Sequence, residues 1–524
     1  SETAEVSITI SQSQLASYDA YEKKTYRMDR GEYFLILAAD AHDAAKQAVE
    51  KYKSSSVSDN LFVYEQAEDV LYDVSDTGYP ITNRFQTEKY TSLPEDLPLL
   101  SRADWQGTFP TPYGDGGVAG KAVKELTGTK KAAILSTDHL GPNNDEVDYV
   151  YNFATQTVET VHIGKAVTNS RKGLNFIDMV DKNGKVADYD DKKWQDLVEC
   201  MTVKELYKFL SSGFGQSAQI NSINKRRTDT SDSPMGLHSG TLFPCYPIQA
   251  ATWSVETAQS IAECVAEEAL WNGIHGWYAP ACNMHRTPFG GRNYEYYSED
   301  GTLSGKYIAA VVKTAQANGL FVQMKHFALN DQDTTRGDRG NFKNGDPYNG
   351  LCTYANEQCI REIYLKPFQY GVEEGGAHGV MTSYNRIGDT WAGGHYGLLT
   401  EVLRNEWGMK GNALTDYAGT FGYKYMNFGQ GLRAGNDLWL HPSNAFPTDD
   451  YTSDAAIYYM QKAAKDVLYA EACSSRINNQ RYTDGSSVIV KTTYAPWRWL
   501  VGIIYGVVML GSLFGIVILL KKVP

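Results

Sequence analysis

GLFVQMKHF (319–327), GAHGVMTSYN (376–385) and GNALTDY (411–417) decide the fold: each begins on a glycine, runs through a short apolar stretch and ends in polar groups. GIHGWYAP (273–280) and GNDLWL (435–440) have the same form. Amphipathic helical stretches lie between them. A parallel neighbour needs a crossover connection, so strands that alternate with helices predict a parallel sheet. The expected fold class is α/β, a (β/α)8 TIM-like barrel, and in such a barrel the strand exits converge on one face. Lys325, His326, Tyr384 and Asp416 stand at those exits.

The helices follow one grammar. Residues 254–272 offer Ser254 as N-cap, Ala258, Ile261, Ala262 and Val265 on one face, and Gly273 as the stop. Residues 302–318 repeat it with Ile308, Val311, Val312 and Ala315, ending at Gly319. Shorter helices are expected at 194–200 and 203–211.

At 524 residues the chain suggests two soluble domains plus appendages. A net charge of -13 argues against a nucleic-acid partner. The basic run Lys225-Arg226-Arg227 is followed by Asp229 and Asp232, which reads as a solvated loop. With 36 Tyr and 10 Trp the chain is rich in flat amphipathic rings, suited to stacking on sugars and equally to filling a core. Seven cysteines show no metal-ligand spacing and read as mostly buried thiols, with Cys352 and Cys359 spaced for a loop disulfide. No metal or cofactor is expected.

Trp499 to Leu520 is an uncharged run long enough to cross a hydrocarbon core, with Tyr494, Trp497 and Trp499 at one end and Lys521 and Lys522 at the other. Those lysines place the C-terminus in the cytoplasm and the rest outside, although Arg498 opposes the bias. The expectation is a single-pass cell-membrane protein with its globular part extracellular. The chain starts at Ser1 with no leader, which reads as part of a longer protein. Residues 1–52 alternate as a partial β-domain and 53–117 read as an ordered linker lying across a neighbour. The barrel is expected over 118–474, a polar stalk over 475–495 and the membrane helix over 496–522.

Taken alone, the exit residues leave alternatives open. Asp416, ahead of Tyr417-Ala418-Gly419, is either a carboxylate at the barrel mouth or a loop aspartate capping the next helix. Lys325 and His326 are either a cationic pair facing hydroxyls or a surface lysine beside a core histidine. Arg292, after a glycine pair, can present its fork to two hydroxyls at once. Asp232 sits in a Pro/Gly turn, where it can cap the loop.

The segments WYAPACNMHRTPFGGRNYEYYSEDGTLSGKY (277–307), MKHFALNDQDTTR (324–336), REIYLKPFQYGVEEGGAHGVMTSYN (361–385), LLTEVLRNEWGMKG (398–411), LTDYAG (414–419) and AGNDLWL (434–440) together resemble glycoside hydrolase family three, the retaining β-glucosidase group. The resemblance implies that Asp416 is the catalytic nucleophile, that Asp232, Arg292, Lys325 and His326 bind sugar, and that Tyr384 stands beside the nucleophile. The partner it implies is an oligosaccharide or β-glucoside; the oligomeric state is not indicated. Ser233 stands where the family has glycine in DGP, and His238 where an arginine is common. Residues 5–44 resemble the last strands of a fibronectin-III-like domain placed ahead of the barrel, as in members of permuted domain order. In those members an earlier domain supplies the acid/base carboxyl. The expected activity is an exo-acting, retaining β-glycosidase, a β-glucosidase first. The alternatives are a β-N-acetylglucosaminidase, against which the absence of a PGHG loop after KHF counts, and a catalytically incomplete sugar-binding surface protein.

Overall fold

The computed structural model describes residues 7–54, 59–87, 90, 147–181, 183–286, 288, 290–332, 351–388, 390–419, 423, 425–442, 446–448, 450–475, 482, 483, 486, 487 and 496–521. Its centre is a mixed α/β body built on short parallel strands. Ile274–Trp277 pairs in parallel with Thr228–Ser231 on one side and Phe321–Val322 on the other. Met324–Phe327, Gly379–Thr382 and Asn412–Thr415 form a second parallel group in that order. The two groups touch at a parallel bridge between Ala281 and Lys325. The segment expected as a strand at 435–440 forms no ladder among the described residues; it makes a bridge, Leu438 against Leu414, and isolated backbone bonds to both neighbours. Eight strands closing into a barrel are not among the described pairings, so the structure shows the α/β class and the parallel direction but not the (β/α)8 closure.

Successive residues of these strands enter two different cores. Val380 and Ala413 pack with Val265, Ile308 and Val312 of the helices, whereas Met381 and Leu414 pack with Leu206, Trp439 and Val467. A parallel sheet covered on both faces needs apolar residues at every position, which is why these strands read as continuous apolar runs. The helices Val255–Asn272 and Gly301–Ala317 lie where the periodicity places them. Ser254 Oγ accepts from Thr257 N–H, Gly273 ends the first at φ 69°, and Asp300 caps the second through Leu303 N–H at 2.6 Å. The shorter helices run from Lys192–Val198 and Val203–Leu210.

Two expectations change at the surface. Lys225 is not solvated: its ammonium is buried, 3.0 Å from Glu471, and also donates to Ser217 Oγ at 2.8 Å and to the carbonyls of Ala218 and Arg226. The acid that neutralises it lies on the helix Asp454–Ala472, far along the chain, while Arg227 pairs with Asp229 in the open. The stretch expected as a linker contains strands, Leu61–Gln66 and Val70–Tyr72. Leu61–Gln66 pairs antiparallel with Gly31–Ile36 across the helix Ala41–Ser54, and Val70–Tyr72 joins Thr25–Met28 and Ser17–Asp19. With a helix between the paired strands, no tight-turn signal marks the hairpin. Residues 91–117 of that linker and 118–146 of the expected barrel lie outside the described residues.

After these strands the chain packs into the α/β body. Phe85 is fully buried, and Glu357 accepts the backbone N–H groups of Arg84, Phe85 and Gln86 at 2.8–3.0 Å. Arg84 bridges Glu401 at 2.9 Å and Glu406 at 3.0 Å; Arg361 bridges Glu406 and Glu357, each at 2.8 Å. Removing one member of such a buried network strands its partners without solvent, at a cost of about 3–5 kcal/mol. Arg361→Met is therefore expected to lower stability by about that much, read as a fall in the urea midpoint followed by tryptophan fluorescence.

None of the seven cysteines is in a disulfide, so Cys352 and Cys359 are not joined. Ser475, expected in the stalk, is buried against Gly319 and His275, with its N–H on the Gly319 carbonyl. Most of the rest of the stalk lies outside the described residues. A separate unit ends the chain, the helix Pro496–Lys521. Its Trp497–Ile518 span is long and apolar enough to cross a membrane and is not buried against protein. At 1.5 Å per residue the whole helix is about 39 Å long.

Candidate active site

All the candidates but Arg292 lie in a strand or just past one. Asp232 comes after Thr228–Ser231, Lys325 and His326 lie within Met324–Phe327, Tyr384 is two residues past Gly379–Thr382, and Asp416 is one past Asn412–Thr415. Parallel register aligns these exits: Thr382 stands opposite Thr415, and Asp416 N–H donates to the Thr382 carbonyl at 2.8 Å. Asp416 Oδ1 accepts from Tyr417 N–H at 2.7 Å, which fixes the carboxylate at the strand exit. Asp416 and Tyr384 are both largely buried. The capping alternative for Asp416 is not what the geometry shows, because Asn427 caps the next helix, Phe428–Ala434.

Lys325 is buried and donates to Asp232 Oδ1 at 2.6 Å. Burial would raise the Asp232 carboxyl, but the Lys325 ammonium and Ser233 N–H outweigh it and hold Asp232 below the usual carboxylate range. The Asp232 side chain is still 64% exposed, so it keeps lone pairs at the rim for hydroxyl donors. Ser233 has φ 99°, a left-handed conformation that glycine adopts without cost. That accounts for the glycine usual at this position, and the strain is held by Trp277, whose Nε1–H donates to the Ser233 carbonyl at 2.8 Å. His238 is exposed, with its backbone N–H on Ser231 Oγ.

Arg292 turns its fork towards Glu295. Its Nε and Nη2 face Glu295, at 2.9 and 2.5 Å, so the fork grips a carboxylate and not a pair of hydroxyls. Its Nη1 stands 2.9 Å from His326 Nε2. Burial opposes the charged Glu295, and Arg292 overcomes that and holds its pKa below the ordinary value. His326 is a buried histidine, but one turned into the site: Nε2 is also 3.8 Å from Asp416 Oδ2. Its backbone is clasped by Asn283, whose Oδ1 accepts His326 N–H at 2.8 Å and whose Nδ2 donates to the His326 carbonyl at 3.1 Å.

The structure therefore brings Asp232 to Lys325, and Arg292 to Glu295, His326 and Asp416. Asp232, Glu295 and Asp416 against Lys325 and Arg292 leave one net negative charge. Sequence reasoning gives Asn283, Phe214 and Glu295 no place in the site. The Arg292–Glu295 spacing across the short turn Asn293–Glu295 is the one signal that could have shown their pairing. Phe214, 51% exposed, meets the Tyr417 ring edge-on at 5.7 Å, and no local pattern announces it. Among the described residues no His, Cys, Asp and Glu cluster is arranged to hold a metal. A small cavity of about 130 Å³ is lined by other residues, Arg433, Asp450 and Tyr459 among them.

Charged donors and acceptors fixed at the strand exits are arranged to meet a molecule with many hydroxyls. Residues 228–476 match the glycosyl hydrolase family 3 N-terminal domain, and that part of the chain is a domain of this family. Beta-glucosidase B of Emericella nidulans is 38% identical over 258 residues, 48% of this chain and 28% of that protein. Beta-glucosidase A of Butyrivibrio fibrisolvens is 27% identical over 467 residues, 83% of this chain and 47% of that protein. The chain thus spans less than half the length of these relatives. A crystal structure of a β-glucosidase from Paenibacillus barengoltzii shares the fold, with a TM-score of 0.58, 20% identity, and coverage of 90% of this chain and 48% of that one.

Proposed function

We propose that the chain carries the nucleophile half of a retaining, exo-acting β-glycosidase, a β-glucosidase first, in which Asp416 attacks the anomeric carbon. The observation that carries this reading is the exit cluster itself: a carboxylate held by Tyr417 N–H, next to an imidazole that Arg292 addresses. Asp416 Oδ2 forms the bond to the anomeric carbon as the glycosidic C–O bond breaks, and an acid/base carboxyl protonates the departing oxygen. Water then displaces Asp416 with that same carboxyl as base. Asp232, Lys325 and His326 bind sugar hydroxyls, Arg292 adds the Nη1 and Nη2 protons that its bonds to His326 and Glu295 leave over, and Tyr384 lines the site beside Asp416. The acid/base comes from outside the described residues. Nearby acids are otherwise engaged: Glu295 by Arg292, Asp300 as a helix cap, and Asp331 by Met284 N–H.

The finer architecture belongs to the same proposal. The segment 438–440 exchanges backbone bonds with residues 210–213, Gly213 N–H to the Trp439 carbonyl and Trp439 N–H to the Leu210 carbonyl, while 216–217 pairs with 228–229. Those contacts support one barrel-like ring joining both strand groups. The strands of residues 17–72 support the fibronectin-III-like reading. With dinitrophenyl glycosides of β-glucose, α-glucose and β-N-acetylglucosamine, only the β-glucoside should release dinitrophenolate. Release from the glucosaminide alone would move the substrate to the other branch.

The helix Pro496–Lys521 anchors the protein in a cell membrane with the glycosidase part outside, the side chosen by Lys521 and Lys522. Protease added to intact cells should release the α/β body by cutting within residues 476–495. A protected body would reverse the orientation.

A further inference from the structure

Glu295 takes no part in the bond changes proposed above, yet it is buried and spends both oxygens on Arg292. We propose that Glu295 is a positioning residue which, through Arg292, holds His326 as the neutral tautomer protonated on Nδ1, beside Asp416. The consequence for catalysis rests on Asp416 being the nucleophile; the tautomer does not.

A guanidinium has five N–H donors and no acceptor and stays charged at any working pH. With Arg292 Nη1 at 2.9 Å, His326 Nε2 must therefore be the acceptor. An imidazole that accepts at Nε2 carries its proton on Nδ1 and is neutral. An imidazolium would set N–H against N–H and cation against cation at that distance. Asn283 clasps the His326 backbone on both sides, which fixes the point from which the ring projects.

Arg292 needs Glu295 to hold this pose. Asp416 is the other carboxylate drawing on its charge, and a guanidinium released from Glu295 would move towards it. The bidentate grip on Nε and Nη2 leaves Nη1 as the terminus that reaches His326. With His326 neutral and without a proton on Nε2, the imbalance at 3.8 Å is simple: Asp416 faces no imidazolium that would clamp its Oδ2. A carboxylate so placed keeps its nucleophilicity.

The test is the ¹⁵N spectrum of histidine in the full chain held in detergent micelles, with the His326 signals identified by their loss in His326→Gln. The expected wild-type result is an unprotonated Nε2 and a protonated Nδ1. In folded Glu295→Gln the two nitrogens should shift towards each other as the tautomers mix, or both become protonated at mildly acidic pH. A purely structural role would lower thermal stability and leave the tautomer in place. A wild-type His326 protonated on Nε2 overturns the proposal, as does an unchanged pair of signals in Glu295→Gln. If that variant fails to fold, the wild-type spectrum alone decides. Failure of Asp416 to take a glycosyl label would remove its proposed role and leave the tautomer standing, so the two outcomes are separable.

Discussion

Mixed with 2,4-dinitrophenyl β-glucoside, the 524-residue chain is expected to release about one equivalent of dinitrophenolate in a burst and then to turn over slowly, leaving cellobiose essentially uncut. Retention requires two carboxyl groups about 5 Å apart. At this site Asp416 is the carboxylate in place, and the described neighbours are committed elsewhere. Glu295 is ionised by its pair with Arg292, Asp300 caps a helix and Glu299 is exposed. General acid help is worth about 10²- to 10⁴-fold, and it matters most for a sugar leaving group. Dinitrophenolate departs without a proton, so the first step proceeds. Its hydrolysis then lacks a base to activate water, which gives the burst. Steady cleavage of cellobiose would mean that an acid/base lies within this chain. Asp331 would be the first residue to replace: its carboxyl is pushed up to about 7 by burial, but in this structure it is turned to Met284 N–H.

Asp416→Ala should abolish that burst, with a loss on the order of 10⁴- to 10⁶-fold in the glycosylation rate, the scale on which removal of a covalent nucleophile acts. Folding should survive, because the Asp416 carboxylate accepts a backbone bond from the adjoining Tyr417 N–H and the strand pairing runs through the main chain. Thermal unfolding close to that of the parent chain, with no burst, is the expected pair of results. A burst of normal size would move the nucleophile elsewhere.

Much of this was legible in the sequence because the strands announce themselves. A glycine, an apolar run and a polar exit place Lys325, His326, Tyr384 and Asp416 on one edge of a parallel sheet without any coordinates. Interactions whose partners are remote in sequence were not legible. Lys225 looked solvated because Glu471, which buries it, belongs to a helix near the other end of the body. Leu61–Gln66 looked like linker because its partner strand lies beyond an intervening helix. The orientation of Arg292 is not legible in the sequence for a different reason. A guanidinium can serve hydroxyls or a carboxylate equally well, and only the turn that brings Glu295 to its fork decides between them. Closure of the sheet was inferred from the alternation of strand and helix, which fixes direction and not strand number.

The most direct test of the account is the site of covalent labelling. The chain is inactivated with a 2-deoxy-2-fluoro-glucoside carrying a dinitrophenyl leaving group, digested and analysed by peptide mass spectrometry. The account predicts one fluoroglucosyl group on the peptide containing Leu414-Thr415-Asp416-Tyr417, with fragmentation placing it on Asp416. A label on any other carboxylate would contradict it.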